Sequence, residues 1–428
     1  MKTIRILVRW LPAGLASLFV LTGCSLLPGA SHSQRGHAFI TYWPPAESGG
    51  LRLAVKDNID MKGRVTSAGS EYLAKNGAPA VADAPCLAIA RERNVQIVGK
   101  TNLSEFALSP SGYNEYFGTP KSPLARWTRL IPGGSSCGSA VAVARGMADV
   151  AFATDTAGSV RLPAACSGVV GLKTTQGLVS VEGVHPIAPR HLDTVGPMGR
   201  DIAHTVQGMD LLQRGFAGRY EAAKAAKPSA AGIRIARLRV SGTDVAIDEA
   251  VDHALARTGF QVGELPKNFT AKWEQAEKDG YTIAAAGAWM SDRQFLGKSG
   301  VSARTKAIIL YGKTQAGSDY RQAVARKRAW QRTLQAVLKK VDFIAVPTVN
   351  STPPILPPVL EIGLLETRVL SLQNTVPVDF AGNPALAMPV PLRHQKVRAT
   401  SLQLIGAPRS EAGLLNAGRL VEAAVKEK

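Results

Sequence analysis

A regular alternation of short apolar runs and helical segments, starting near residue 50, constrains this chain more than any other feature. Strands that alternate with helices favour an α/β fold, in which helices cover a sheet. The strand-like runs are LRLAV (51–55), VQIVG (95–99) and VAFAT (150–154), and the helical segments are APCLAIARERN (84–94) and GSAVAVARGM (138–147). A chain of 428 residues, 45% of them apolar, can bury one large core. We therefore expect a single α/β domain over residues 50–428, with a central mixed sheet covered by helices.

The character of the chain changes between about residues 203 and 340. Alanine, lysine, arginine and glutamine recur there at helical spacing, which predicts a helical region lying over the sheet, close to the substrate. Strand-like runs return at 341–348 and 399–406. The segment after Ser410 is typical of a closing helix, with this serine as its N-cap.

The first residues are typical of an export signal. Three cations, Lys2, Arg5 and Arg9, precede an apolar run that is too short to span a membrane and that ends in Leu-Thr-Gly-Cys. This pattern resembles a bacterial lipoprotein signal peptide over residues 1–23. Cys24 would then carry the lipid anchor. A plain secretory signal and an uncleaved anchor are the alternatives.

Residues 24–49 are expected to be a polar linker between that anchor and the folded domain. Ser25 stands where an aspartate would indicate retention in the inner membrane, so an outer-membrane location in the cell envelope is favoured. The formal net charge of +19 suits anionic neighbours such as lipid headgroups, although a solvated surface explains it equally well. We expect no nucleic-acid partner, because the chain carries no recognisable binding module.

Three cysteines remain once Cys24 is lipidated. Their spacing fits neither a zinc site nor a disulfide framework, and an odd number leaves at least one unpaired. Small buried apolar side chains are the expected role of Cys86, Cys137 and Cys166.

The serine cluster in IPGGSSCGSAVAVARG (131–146) contains a possible nucleophile. Gly-Ser-Ser-Cys-Gly matches the G-x-S-x-G elbow of α/β-hydrolases, with Ser136 as the nucleophile. That elbow needs a strand directly before it, which Pro132 and two glycines disfavour. It also needs a downstream histidine, such as His253 or His394.

A second serine, Ser159, lies in ATDTAGSVRLPAA (153–165), at the end of a predicted strand. Small residues in this turn would let a substrate carbonyl approach several backbone N–H groups, as an oxyanion hole requires.

Several segments together resemble the amidase signature family in order, spacing and content. They are LAVKDNIDMKG, GKTNLSEFALS, PGGSSCGSAVAVARG, TDTAGSVRLPAACSGVVGLKTTQG, HLDTVGPMGR, VDFIAVPT, PVDFAGNPALAMPVP and SLQLIGAP. The resemblance covers about residues 50–210 and 340–425, and it implies an α/β/α sandwich that hydrolyses carboxylic amides.

The resemblance also implies a Ser-Ser-Lys catalytic set. By motif, Lys56 is the base, Ser135 the bridging serine after a cis Gly134–Ser135 peptide, and Ser159 the nucleophile. The oxyanion donors would be the backbone amides of Thr156, Ala157, Gly158 and Ser159, and the structural residues would be Asp57, Asp155 and Arg161. Burial would have to lower the pKa of the lysine to ~7–8 for it to act as a base. The family uses neither a metal nor another cofactor, and none is expected here.

The chain departs from the family pattern in three places. Cys137 stands where the glycine-rich motif usually has glycine, Ala157 replaces the first glycine of the nucleophile turn, and the region before Lys56 is short. Three functions therefore remain open: an exported, lipid-anchored amidase acting on linear amides, an esterase that uses Ser136, and a binding lipoprotein that has kept the fold. The sequence does not distinguish among small-molecule and peptide amides as substrates.

Overall fold

The computed structural model describes residues 32–46, 49–358, 362–393 and 397–426. The predicted signal peptide, the predicted lipid site Cys24 and His394 lie outside these residues.

Eleven strands of the described residues form one mixed sheet. They are β1 (Phe39–Tyr42), β2 (Arg52–Lys56), β3 (Gln96–Thr101), β4 (Val150–Asp155), β5 (Val170–Lys173), β6 (Thr194–Gly199), β7 (Arg234–Arg237), β8 (Gln261–Glu264), β9 (Phe343–Pro347), β10 (Ala385–Pro391) and β11 (Ala399–Ile405). Their order in the sheet is β1-β3-β2-β4-β6-β5-β10-β11-β9-β7-β8. Strand β2 runs parallel to both β3 and β4, and β7 runs parallel to both β9 and β8. In the middle of the sheet, β6, β5, β10 and β11 are joined by antiparallel pairing.

Helices cover both faces of this sheet. They are α1 (Glu71–Asn76), α2 (Ala88–Glu92), α3 (Cys137–Ala144), α4 (Arg161–Ser167), α5 (Ile202–Leu212), α6 (Phe216–Ala226), α7 (Val245–Thr258), α8 (Asn268–Asp292), α9 (Ala303–Gln315), α10 (Ser318–Leu338), α11 (Ile362–Leu370), α12 (Val376–Ala381) and α13 (Glu411–Lys426).

Alternating side chains divide the core into two layers. Leu53 and Val55 of β2 pack in the cluster that contains residues of α5, α6, α7 and α13, whereas Ala54 between them packs in the cluster of α3 and α4. This alternation follows from the two-residue period of a strand. Further along the sheet, β7 and β9 contribute Ala236 and Ile344 to a third cluster with residues of α8, α10 and α12. The result is the expected α/β/α sandwich.

Two sequence-based boundaries were wrong. The region predicted to be helical, 203–340, also contains β7 and β8, which extend the sheet at one edge. The sequence Arg-Ile-Ala-Arg at β7 has too few apolar residues to stand out from its helical surroundings. The predicted linker includes β1, which pairs antiparallel with β3 and begins with the buried Phe39.

The closing helix is present and Ser410 occupies its N-cap position, but the serine hydroxyl bonds away from the helix. Its hydroxyl donates to the carbonyl of Ala407, while its own carbonyl accepts the hydrogen bond from Leu414 N–H. Within the described ranges, no helix combines the length and the apolar composition needed to cross a bilayer.

Candidate active site

Lys56 is the last residue of β2, and its side chain is 0% exposed. Its Nζ lies 2.7 Å from Ser135 Oγ and 2.7 Å from Thr154 Oγ1. Burial lowers the pKa of this amine from its ordinary 10.5 to about 7, and the nearby Cys137 and Asp155 offset the effect of burial only in part. A substantial fraction of Lys56 is therefore neutral near pH 7, as a proton acceptor must be.

Ser135 joins the lysine to the second serine. The peptide bond between Gly134 and Ser135 is cis, as the resemblance implied. The Ser135 hydroxyl contacts Lys56, and its backbone N–H donates to Ser159 Oγ at 3.0 Å. The structure thus brings the three residues predicted from separate motifs into one hydrogen-bonded chain.

Ser159 lies in the turn between β4 and α4, and this turn is held by a buried ion pair. Asp155 accepts hydrogen bonds from the backbone N–H groups of Gly158, at 2.6 Å, and Val160, at 3.0 Å. Arg161 Nε lies 3.0 Å from Asp155, and its Nη2 lies 2.5 Å from Asp379. Burial alone would raise the pKa of Asp155, but the charge of Arg161 and the hydrogen bonds outweigh burial and lower the pKa to about 2. Asp155 and Arg161 therefore shape the turn, which agrees with the structural role expected of them.

Asp57 likewise has a structural role, because its partners are Lys100 and Ser67 rather than the catalytic serines. It forms an ion pair with Lys100 at 3.0 Å and accepts the backbone N–H of Ser67.

The four expected oxyanion donors are not equivalent. Gly158 N–H is already committed to Asp155 and is not free for a substrate oxygen, which corrects the prediction for this residue. Thr156, Ala157 and Ser159 line a cavity. Their backbone amides remain the candidate donors.

The alanine that replaces a family glycine causes no backbone strain. Gly158, not Ala157, is the residue with a positive φ, of 124°. A Cβ at position 158 would lie 2.3 Å from Thr375 Oγ1, and Thr375 in turn donates a hydrogen bond to the Ala157 carbonyl at 2.7 Å. The glycine that this turn requires has therefore been kept.

Cys137, the other departure in the motifs, is the first residue of α3 and is fully buried. Burial raises the pKa of its thiol to about 12, so it is a neutral, apolar neighbour of Lys56. Cys86, Cys137 and Cys166 are all free and buried, which confirms the expected role.

Ser136 does not have the environment of an elbow nucleophile. It is 0% exposed, its hydroxyl donates to the Thr154 carbonyl at 3.4 Å, and the residues directly before it are not a strand. His253, one of the proposed bases, is exposed on α7. These observations disfavour the elbow hypothesis.

The cavity beside Ser159 has a volume of about 560 Å³. Helices α8 and α9 supply much of its wall, as expected for a helical region next to the substrate, and most of the surface is apolar. The lining residues include Leu108, Ile187, Tyr281, Ala285, Ile308 and Tyr311. A larger groove, of about 920 Å³, lies between β8 and the helices α8 and α10, but none of the predicted catalytic residues lines it.

The sequence analysis missed two residues beside Lys56. Thr154 contacts the lysine directly, and Asn58 contacts Thr154. Thr154 Oγ1 accepts from Lys56 and also from Asn58 Nδ2 at 3.0 Å. Both residues fall inside the quoted motifs, next to the residues that were selected. Tyr281 and Gln373 come from segments without any recognised motif, so no sequence signal identified them.

The described residues contain no group of three or more His, Cys, Asp or Glu side chains that could hold a metal ion.

The fold is that of the amidases. The chain belongs to the Amidase family, whose model matches residues 49–415. Membership of this family supports hydrolysis of carboxylic amide C–N bonds.

Relatives of known name extend over nearly the whole domain. The 2-amino-5-chloromuconic acid deaminase of Comamonas testosteroni is 32% identical, over 88% of this chain and 82% of its own. A glutamyl-tRNA(Gln) amidotransferase chain of Natronomonas pharaonis is also 32% identical, over 89% of this chain and 98% of its own. Among solved structures, the corresponding amidotransferase chain of Thermotoga maritima superposes with a TM-score of 0.71 at 26% identity, over 90% of this chain and 86% of that one.

Proposed function

We propose that this protein is an exported, lipid-anchored amidase that hydrolyses linear carboxylic amides through an acyl-enzyme on Ser159. Two contacts of Ser135 carry the proposal. Its Oγ lies 2.7 Å from Lys56 Nζ in the buried interior, and its backbone N–H holds Ser159 Oγ at 3.0 Å, which keeps the nucleophile next to Ser135. Burial supplies what a lysine base needs, since it lowers the pKa of Lys56 to about 7.

Neutral Lys56 has two N–H groups and one lone pair. One N–H donates to Thr154 Oγ1, an acceptor that Asn58 also uses, which leaves the lone pair for the Ser135 hydroxyl. As Ser159 Oγ attacks the carbonyl carbon, its proton passes to Ser135 Oγ and the Ser135 proton passes to Lys56.

Collapse of the tetrahedral intermediate then breaks the C–N bond. The relay returns the proton to the leaving nitrogen, which departs as ammonia or an amine. Water, activated by the same relay, adds to the acyl-enzyme and releases the carboxylic acid. The backbone N–H groups of Thr156, Ala157 and Ser159 are the proposed donors to the negative oxygen of each intermediate.

Single and double variants test whether the relay acts as one unit. Lys56→Ala and Ser135→Ala should each abolish most amidase activity, because Ser159 then has no path for its proton. The double variant should be little slower than either single variant, since groups that act together do not contribute additively. Ser136→Ala is the matched control and should keep most activity. Independent, multiplicative losses from Lys56→Ala and Ser135→Ala would contradict the relay.

The cell-envelope location rests on two separate features. The first is the charged leader with Cys24 at its end. The second is a row of exposed cations along one face of α10 and its C-cap residue, opposite the buried Trp330. These cations recur at helical spacing, and none forms an ion pair with a described residue; they are Arg321, Arg328, Arg332 and Lys339. Such a face suits the anionic headgroups that would surround a lipid-anchored protein.

The anchor is tested by metabolic labelling with palmitate. The wild-type protein should incorporate the label and sediment with membranes, whereas Cys24→Ala should do neither. Cys86→Ala, which removes a buried thiol elsewhere, should retain the label. Recovery of Cys24→Ala at the membrane with unchanged processing would refute the anchor.

A further inference from the structure

A glutamine in the cavity wall is held in one orientation next to the nucleophile turn. Gln373 lies between α11 and α12, is 2% exposed, and lines the cavity together with Tyr281 and Leu370. None of the motifs assigned this residue a role.

Hydrogen bonding decides which end of the amide faces which neighbour. The Tyr281 hydroxyl donates to the Leu370 carbonyl at 2.8 Å, and a carbonyl can only accept. The phenol oxygen must therefore accept from Gln373, at 2.7 Å, and only the NH2 end of the side chain can donate. These two partners fix the orientation of the Gln373 amide.

The amide oxygen consequently points to the catalytic turn. Gln373 Oε1 lies 3.0 Å from the position that a Cβ on Gly158 would occupy, so it is adjacent to the residue before Ser159. Within the described part of the chain, no donor forms a hydrogen bond with this oxygen. Because Gln373 lines the substrate cavity, a donor on the substrate can supply the hydrogen bond that the protein does not.

Other polar groups of the wall are already committed. Glu366 accepts from Ser109, Ser111 and Arg304. The Thr156 hydroxyl donates to Asp193. Gln373 Oε1, in contrast, has no hydrogen-bond donor among the described residues.

We propose that Gln373 Oε1 accepts an N–H of the scissile carboxamide, so that the site selects amides that carry an N–H over the corresponding esters. This inference rests on the proposed function. An ester offers no donor and leaves the oxygen unpaired, whereas a primary or secondary amide satisfies it and has its nitrogen held beside the turn.

The test compares two probes with the same apolar acyl group, 4-phenylbutanamide and methyl 4-phenylbutanoate. Gln373→Met keeps the length of the side chain but removes the oxygen. It should lower kcat/KM for the amide by about five- to tenfold, the range expected for one hydrogen bond, and leave the ester within about twofold of wild type. The rate of fluorophosphonate labelling, which needs no N–H donor, should not change.

Tyr281→Phe is the second variant. It keeps the glutamine oxygen but removes the hydroxyl that fixes its direction. The preference for amide over ester should fall here too, by less than in Gln373→Met.

Three results would overturn the inference. A parallel loss for both probes in Gln373→Met would mean that the residue only supports the fold of the wall. An unchanged amide-to-ester ratio would mean that the oxygen does not contact the leaving nitrogen. A folded wild-type protein that hydrolyses neither probe and forms no fluorophosphonate adduct would refute the proposed function, and the inference with it.

Discussion

Replacing Lys56 by methionine should remove a large pH dependence from the stability of the protein. Burial lowers the pKa of Lys56 from 10.5 to about 7 in the folded state, and unfolding restores the ordinary value. Between these two pH values the folded protein holds a neutral amine and the unfolded chain binds a proton. The wild-type free energy of unfolding therefore gains a contribution that rises with pH across this window. Methionine has a similar unbranched length and does not titrate.

The magnitude follows from one proton. A single proton difference changes the free energy of unfolding by about 1.4 kcal/mol per pH unit. Between pH 7.5 and 9.5, this group should raise the free energy of unfolding of the wild type by about 2 to 3 kcal/mol. The variant lacks the group and should show no such rise. All other titrating groups cancel in the difference between the two proteins. Loss of the Lys56 hydrogen bonds to Ser135 and Thr154 changes the difference in unfolding free energy between the two proteins by a constant amount.

Urea unfolding at pH 7.5, 8.5 and 9.5 measures this difference. Relative to wild type, Lys56→Met should be most stable at pH 7.5 and lose its advantage as the pH rises. Lys75→Met, at an exposed lysine, is the matched control and should differ from wild type by the same amount at all three values. A constant difference for Lys56→Met would refute the reasoning, because it would mean that the buried amine titrates near its ordinary pKa.

The same ionisation should govern catalysis. With Lys56 as the proton acceptor, kcat/KM for an amide should rise through a single ionisation near pH 7 and level off above it, since only the neutral amine is active. A flat or falling profile between pH 6 and 8 would contradict this assignment. Three further substitutions probe the nucleophile turn. Gly158→Ala should abolish fluorophosphonate labelling, because its Cβ would lie 2.3 Å from Thr375 Oγ1 and the backbone φ there is 124°. Ala157→Gly should leave labelling within about twofold of wild type, since Ala157 is not in a strained conformation. Arg161→Met should cost about 3 to 5 kcal/mol in urea unfolding, because it removes the cation paired with the buried Asp155 and leaves Asp379 with only the more distant Lys173, at 3.9 Å, as a described ion-pair partner.

Local pattern was enough to predict the layered architecture and the elements that carry the serines. The strands at Arg52–Lys56 and Val150–Asp155 are short and almost wholly buried, and such segments stand out as apolar runs. The strand at Arg234–Arg237 was missed because its ends are arginines, one of which is buried and pairs with carboxylates on α7. Tertiary contacts of this kind leave no local signal.

The catalytic candidates came from a resemblance between motifs, and their geometry could not have come from the residues alone. Nothing in the sequence states that Lys56 is fully buried or that it lies 2.7 Å from Ser135, 79 positions away. The role of Gln373 depends on the direction of a hydrogen bond to Tyr281, which lies on a helix with no motif. Motifs can indicate which residues meet, whereas their orientation and desolvation require the folded chain.

Mapping the site of covalent labelling tests the central claim most directly. The folded protein is treated with a fluorophosphonate, digested, and analysed by mass spectrometry, with Ser159→Ala and Ser136→Ala treated in parallel. We expect the adduct on the peptide that spans 151–161, its complete loss in Ser159→Ala, and its retention in Ser136→Ala. An adduct on the peptide that spans 133–145, retained in Ser159→Ala and lost in Ser136→Ala, would contradict the account and assign the nucleophile to the glycine-rich motif.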